Sequence, residues 1–167
     1  PREKAIRELQ RAVAAGQITS APLGQFCLDR IAAYDPLVNA VLYVNPNAVA
    51  DARALDDERR RGNWRGPLHG IPILLKDNFD TKDMPTTGGA LALAGIVPKD
   101  DAFQVKKLRE AGAVILGKVN LHELALGLTT VSSLGGQTLD PYDLTRAPGG
   151  SSGGSAVAAT MNFAAAT

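Results

Sequence analysis

Seven residues, Gly149-Gly-Ser-Ser-Gly-Gly-Ser155, hold four glycines and three serines. A flexible spacer would have this composition. A spacer, however, continues into polar sequence. This run enters Ala156-Val-Ala-Ala, with Met161 and Phe163 beyond, the pattern of a buried helix. A loop that ends at a helix start presents unpaired N–H groups and the positive end of the helix dipole, which suits developing negative charge. A Walker-type phosphate loop would need Gly-Lys-Ser/Thr at the helix start, and no lysine follows Gly153 or Gly154. A serine nucleophile on a tight turn is the other use, and Ser151 and Ser152 each satisfy Gly-x-Ser-x-Gly. That elbow also needs a strand just before the serine and a histidine after it. Asp140-Pro-Tyr-Asp143 and Arg146-Ala-Pro148 read as loop, and both histidines, His69 and His122, come earlier.

With histidine out of order, the next base to consider is lysine. It accepts a proton only when neutral, so desolvation must pull its pKa well below about 10.4. Lys76 is the best placed, at the end of the apolar run Ile73-Leu-Leu75. Asp77 would oppose the shift, but strand alternation turns it to the other face. The bland alternative is a strand-end lysine snorkelling to water. On the residues alone, both readings of Lys76 stay open. His122-Glu123 is not a zinc motif, because Leu126 stands where the second histidine would be. His69 is read as fixing the turn before Lys76, and Cys27 as a core residue without a basic partner.

The elements that must position these residues follow from periodicity. Ile6, Leu9 and Val13 predict a helix over Arg2–Ala15, ended by Gly16. Ser20 is expected to cap a second helix carrying Pro22 in its first turn, stopped at Asp35-Pro36. Asn39–Val44 reads as a strand, and Asn47 as the cap of a surface helix running to about Arg61. After Gly62 the pattern changes. A constrained turn, Gly66-Pro-Leu-His-Gly-Ile-Pro72, feeds the strand Ile73–Leu75, and Thr86-Thr-Gly-Gly89 forms a polar loop. A helix over Asp101–Gly112, with Ala102, Val105 and Leu108 inward, leads to a strand over Ala113–Leu116 and then Gly117-Lys118. This alternation predicts an α/β fold with a mixed sheet covered by helices. The expected organisation is a helical region over residues 1–61 and the start of an α/β core over 62–167.

The 167 residues can bury a real core, with 45% hydrophobic and 21% charged residues. A net charge of +1 gives no electrostatic argument for nucleic acid or a membrane surface. No apolar run approaches the roughly 20 residues of a spanning helix. One cysteine excludes an internal disulfide framework. A cytoplasmic location is expected over a secreted one, although a start at Pro1 leaves room for a removed leader.

Four blocks in register carry a resemblance: Gly66-Pro-Leu-His-Gly-Ile-Pro-Ile-Leu-Leu-Lys76-Asp-Asn78, Thr86-Thr-Gly-Gly89, Ala111-Gly-Ala-Val-Ile-Leu-Gly-Lys-Val-Asn-Leu-His-Glu123 and Pro148-Gly-Gly-Ser-Ser-Gly-Gly-Ser155. Together they resemble the amidase signature family over about residues 62–163, and more loosely before that. The resemblance implies amide hydrolysis by a Ser–cis-Ser–Lys triad through an acyl-enzyme, with neither metal nor cofactor. Lys76 matches the family's lysine. Ser151 matches the serine that follows a cis peptide bond and relays a proton between lysine and nucleophile, and Gly150 brings no Cβ to that bond. Gly127 and Gly150 are implied as backbone contacts to substrate, and Ser152 and Ser155 as supports. The family's nucleophile, in an Asp-Thr/Ser-x-Gly-Ser block, falls beyond Thr167. The chain is therefore expected to be an N-terminal piece, inactive alone, with the remainder of the enzyme chain as its partner. A small-molecule or peptide amide is the expected substrate, and a homodimer is allowed. Two alternatives stand: the glutamyl-tRNA amidotransferase (its A subunit), and an inactive fragment acting as a binding module. The first usually carries Asn-Met-Asp-Glu-Phe-Ala where this chain has Asn120-Leu-His-Glu-Leu-Ala125.

Overall fold

The computed structural model describes residues 6–167, and the first residues of the helix predicted from Arg2 lie outside that range. Five α-helices are described: α1 (Ile6–Ala14), α2 (Ser20–Val38), α3 (Ala48–Arg60), α4 (Phe103–Glu110) and α5 (Gly153–Thr160). Strands β1 (Val41–Val44), β2 (Pro72–Lys76) and β3 (Val114–Val119) form one sheet in the order β1-β3-β2. β2 runs parallel to β3 and β1 antiparallel to it, so the sheet is mixed as expected. A short hairpin, β4 (Val131–Ser132) and β5 (Gly136–Gln137), stands apart.

Side-chain alternation divides the strands between two cores. Leu74, Val114 and Leu116 point to a core built with α2, α3 and α5, including Ile31, Leu55, Val157 and Phe163. Ile73, Leu75, Ala113 and Ile115 point to the opposite core with Val13, Ile71, Met84 and Val105. β1 passes so close to β3 that a side chain at Gly117 would run into the carbonyl of Tyr43. Gly117 and Lys118, expected to follow the strand, are therefore inside it.

Four local readings change in the structure. Helix α2 continues through Pro36 to Val38 and ends at Asn39, which adopts φ 55°. The Asp35 carboxylate accepts the Ala40 and Val41 N–H groups at 2.8 and 3.1 Å, which anchors that exit. Ser20 is the first helical residue rather than its cap. The buried carboxylate of Asp56, on α3, caps α2 by accepting the N–H groups of Ser20 and Ala21 at 2.7 and 2.9 Å. Helix α3 is likewise no simple surface helix, because Ala48, Ala52 and Leu55 are buried against α2 and the sheet. Asn47 occupies the N-cap position of α3 but makes no side-chain cap. Among the described residues, no helix is long and apolar enough to cross a membrane.

Candidate active site

Lys76 is the last residue of β2, where the sheet's apolar interior gives way to the loops above it. Its side chain shares the side of Leu74, toward α5, and its Nζ lies 2.8 Å from Ser151 Oγ and 2.8 Å from Ser152 Oγ. Desolvation at this position holds the Lys76 ammonium below the ordinary lysine pKa. A neutral amine has a lone pair, so it can accept a proton from one hydroxyl while donating to the other. That is the arrangement an acid–base relay requires.

Asp77 points away from Lys76, as alternation demands. Its carboxylate is fully buried, accepts the Thr87 N–H at 3.0 Å and the Thr87 hydroxyl, and pairs with Lys118 Nζ at 3.0 Å. Lys118 is also fully buried and donates to Pro85 O at 3.1 Å and Thr86 Oγ1 at 2.9 Å. Burial pulls the Lys118 pKa down and the Asp77 charge opposes that pull. The pair ties the Thr86-Thr-Gly-Gly89 loop to the sheet behind Lys76, and the Gly88 N–H completes the tie on Asp77 O at 2.9 Å. The two adjacent residues thus have separate tasks, and the carboxylate's charge goes to Lys118. Breaking this pair should be costly, because it strands a buried charge. Lys118→Met is expected to destabilise the full-length protein by roughly 3–5 kcal/mol in denaturant unfolding. Lys118→Met with Asp77→Asn should recover part of that loss.

The Gly/Ser stretch is a loop bent over the end of β3, not a spacer. The Gly150–Ser151 peptide is cis. The His122 N–H holds the Ser151 carbonyl at 2.9 Å. Helix α5 begins at Gly153, and Gly154 lies against the backbone of Asn120, where any Cβ would overlap the Asn120 carbonyl. Ser152 is exposed at the N-cap position of α5, and Ser155 is half-buried in the first turn. The Ser155 carbonyl accepts the Thr167 hydroxyl at 3.2 Å. The hydroxyls at Lys76 are therefore those of Ser151 and Ser152, and Ser155 belongs to the helix that backs them.

Gly127 and Gly150 both sit where chains approach closely. A Cβ at Gly127 would strike the His122 imidazole, and one at Gly150 would come 2.9 Å from the Leu128 carbonyl carbon. Leu128 and Thr130 thus lie directly on the Gly150 loop. His69 is buried, with Nε2 2.9 Å from Leu55 O and Nδ1 accepting the Arg65 N–H at 3.2 Å, and Trp64 stacks on it at 4.6 Å. It fixes the turn into β2. Cys27 is a core residue, and burial pushes its thiol up to about 11.

Sequence reasoning missed two contributors to the site, Lys118 and Thr130. Lys118 lies in an apolar run, Val114-Ile-Leu-Gly-Lys-Val119, and a lysine there signals a buried partner. Thr130 carries no comparable signal.

The amidase family model matches residues 23–167. A glutamyl-tRNA(Gln) amidotransferase chain of Acidothermus cellulolyticus, its A subunit, is 49% identical over 152 residues, covering 90% of this chain and 30% of its own length. The native peptide amidase structure from Stenotrophomonas maltophilia superposes with a TM-score of 0.94 at 48% identity, over 98% of this chain and 35% of that one. The structure of an amidase family protein from Bacillus anthracis str. Ames gives 0.90 at 38% identity, over 98% and 34%. The chain spans about a third of the length of these relatives. A model match across most of the sequence, with the fold and the mixed sheet in agreement, places the chain in the amidase family.

Proposed function

We propose that the full-length enzyme hydrolyses a carboxylic or peptide-type amide through a serine acyl-enzyme. The observation that carries this reading is the 2.8 Å contact between Lys76 Nζ and Ser151 Oγ at a desolvated lysine. Neutral Lys76 takes the Ser151 hydroxyl proton, and Ser151 takes one from a nucleophilic serine located beyond Thr167. That serine attacks the amide carbonyl. The relay then runs in reverse, protonating the leaving amine as the C–N bond breaks, and water hydrolyses the ester by the same route. Gly127, packed on the His122 imidazole, and Gly150, next to Ser151 in the chain, are proposed to meet substrate through their backbone, with Ser152 and Ser155 supporting Ser151.

Ammonia or amine release from peptide amides and small carboxamides by the full-length chain tests this reading. Turnover that proceeds without added metal or cofactor is expected, and no release from any amide would refute it. A second reading, the glutamyl-tRNA amidotransferase, is favoured by relatives of that name. Asn120-Leu-His-Glu-Leu-Ala125 stands against it. Turnover that depends on glutamine and partner proteins would select the second reading, and turnover by the single chain the first.

A further inference from the structure

We propose that Thr130 is a positioning residue for the proposed hydrolysis, its hydroxyl clamping both ends of the loop that presents Ser151 to Lys76. Thr130 Oγ1 donates to Gly149 O at 2.6 Å and accepts the Gly153 N–H at 3.0 Å. One atom thus brackets the whole Gly150–Ser152 segment. Between those ends, the His122 N–H holds the Ser151 carbonyl at 2.9 Å. Gly150 and Gly153 leave no room between the loop and this hydroxyl. A Cβ at Gly150 would lie 3.0 Å from Thr130 Oγ1, and one at Gly153 2.8 Å from Thr130 Cβ.

The backbone of Thr130 adopts φ 53°, a left-handed conformation that β-branched residues rarely enter. Its surroundings hold it there. The Thr130 carbonyl accepts the Thr138 N–H at 3.0 Å and Gln137 Nε2 at 3.2 Å, and Gln137 Nε2 also donates to Thr129 O at 2.6 Å. Thr130 is fully buried, so water cannot replace its hydroxyl. The hydroxyl's donor and an acceptor site are both used on the loop. Loss of the hydroxyl therefore frees both loop ends together and leaves the two cores untouched.

The inference rests on the amide-hydrolase reading and is tested in the full-length enzyme. Thr130→Val keeps the shape and removes the hydroxyl. It is expected to lower kcat by about 10²-fold, as for a misplaced catalytic group, with KM changed by less than about threefold. The acid limb of its pH–rate profile should move to higher pH as water reaches Lys76. Thr130→Ser, which keeps the hydroxyl, should restore both kcat and the limb. Thr130→Gly suits the left-handed backbone and carries the Val expectation if Thr130→Val does not fold. Wild-type kcat in a folded Val or Gly variant would overturn the proposal. So would a fall in kcat with the acid limb unmoved, or unfolding of both variants, since either makes Thr130 merely structural. A wild-type enzyme without amidase activity would instead sink the amide-hydrolase reading itself.

Discussion

Lys76→Ala in the full-length enzyme is expected to lower amide turnover by about 10⁴-fold, the upper range for loss of a positioned acid–base group. Folding should be preserved, because Lys76 ends β2 only partly buried and the neighbouring Asp77 carboxylate is already paired with Lys118. The size of the effect comes from position. The side chain leaves the sheet at the point where Leu74 still belongs to the core, so its ammonium is poorly hydrated. Its Nζ meets two hydroxyls at 2.8 Å. An alanine leaves both hydroxyls without a proton acceptor. Lys118 cannot substitute, because Asp77, Thr86 and Pro85 hold it fully buried behind the sheet. Steady-state kinetics with a thermal melt of the same sample checks both halves of the expectation. Turnover within about tenfold of wild type would remove Lys76 from the chemistry.

Ser151→Ala should cost about 10³-fold in kcat, whereas Ser152→Ala should cost less than about tenfold. Distance to Lys76 does not separate the two hydroxyls, since both lie at 2.8 Å. Anchoring does. The Ser151 carbonyl is fixed by the His122 N–H, and its side chain is partly buried between β2 and the loop. Ser152 is exposed at the start of α5, where water can take the place of its hydroxyl. The proposed relay is therefore expected to run through Ser151. Parallel kinetics on the two variants decides it, and the reverse order of effects would give the relay to Ser152.

Local patterns made much of this legible. Alternation along Ile73-Leu-Leu-Lys-Asp77 put Lys76 and Asp77 on opposite faces, and the structure keeps them there. The apolar run after Ser155 marked the glycine stretch as the approach to a packed helix, which is α5. What local pattern could not supply was the partner at a distance. Asp56 caps a helix that starts 36 residues earlier. Pro36 looked like a stop because its missing N–H and ring usually end a helix, yet the exit beyond it is tied by the Leu139 N–H on Val38 O at 2.8 Å and the Thr138 hydroxyl on Asn39 O at 2.7 Å. Thr130 was invisible for a stronger reason. Its left-handed backbone runs against the preference of its residue type, and only the packed hairpin and loop dictate it.

A neutral Lys76 driving the proposed relay through Ser151 is tested by the pH dependence of kcat/KM in the full-length enzyme. Desolvation lowers the Lys76 pKa, and in the proposed relay the neutral form is the active one. The rate should therefore be low in acid, rise in proportion to neutral lysine through a single ionisation below about 10.4, and then level off. A profile that is flat across this range, or that falls as the pH rises, would mean that Lys76 is not the base.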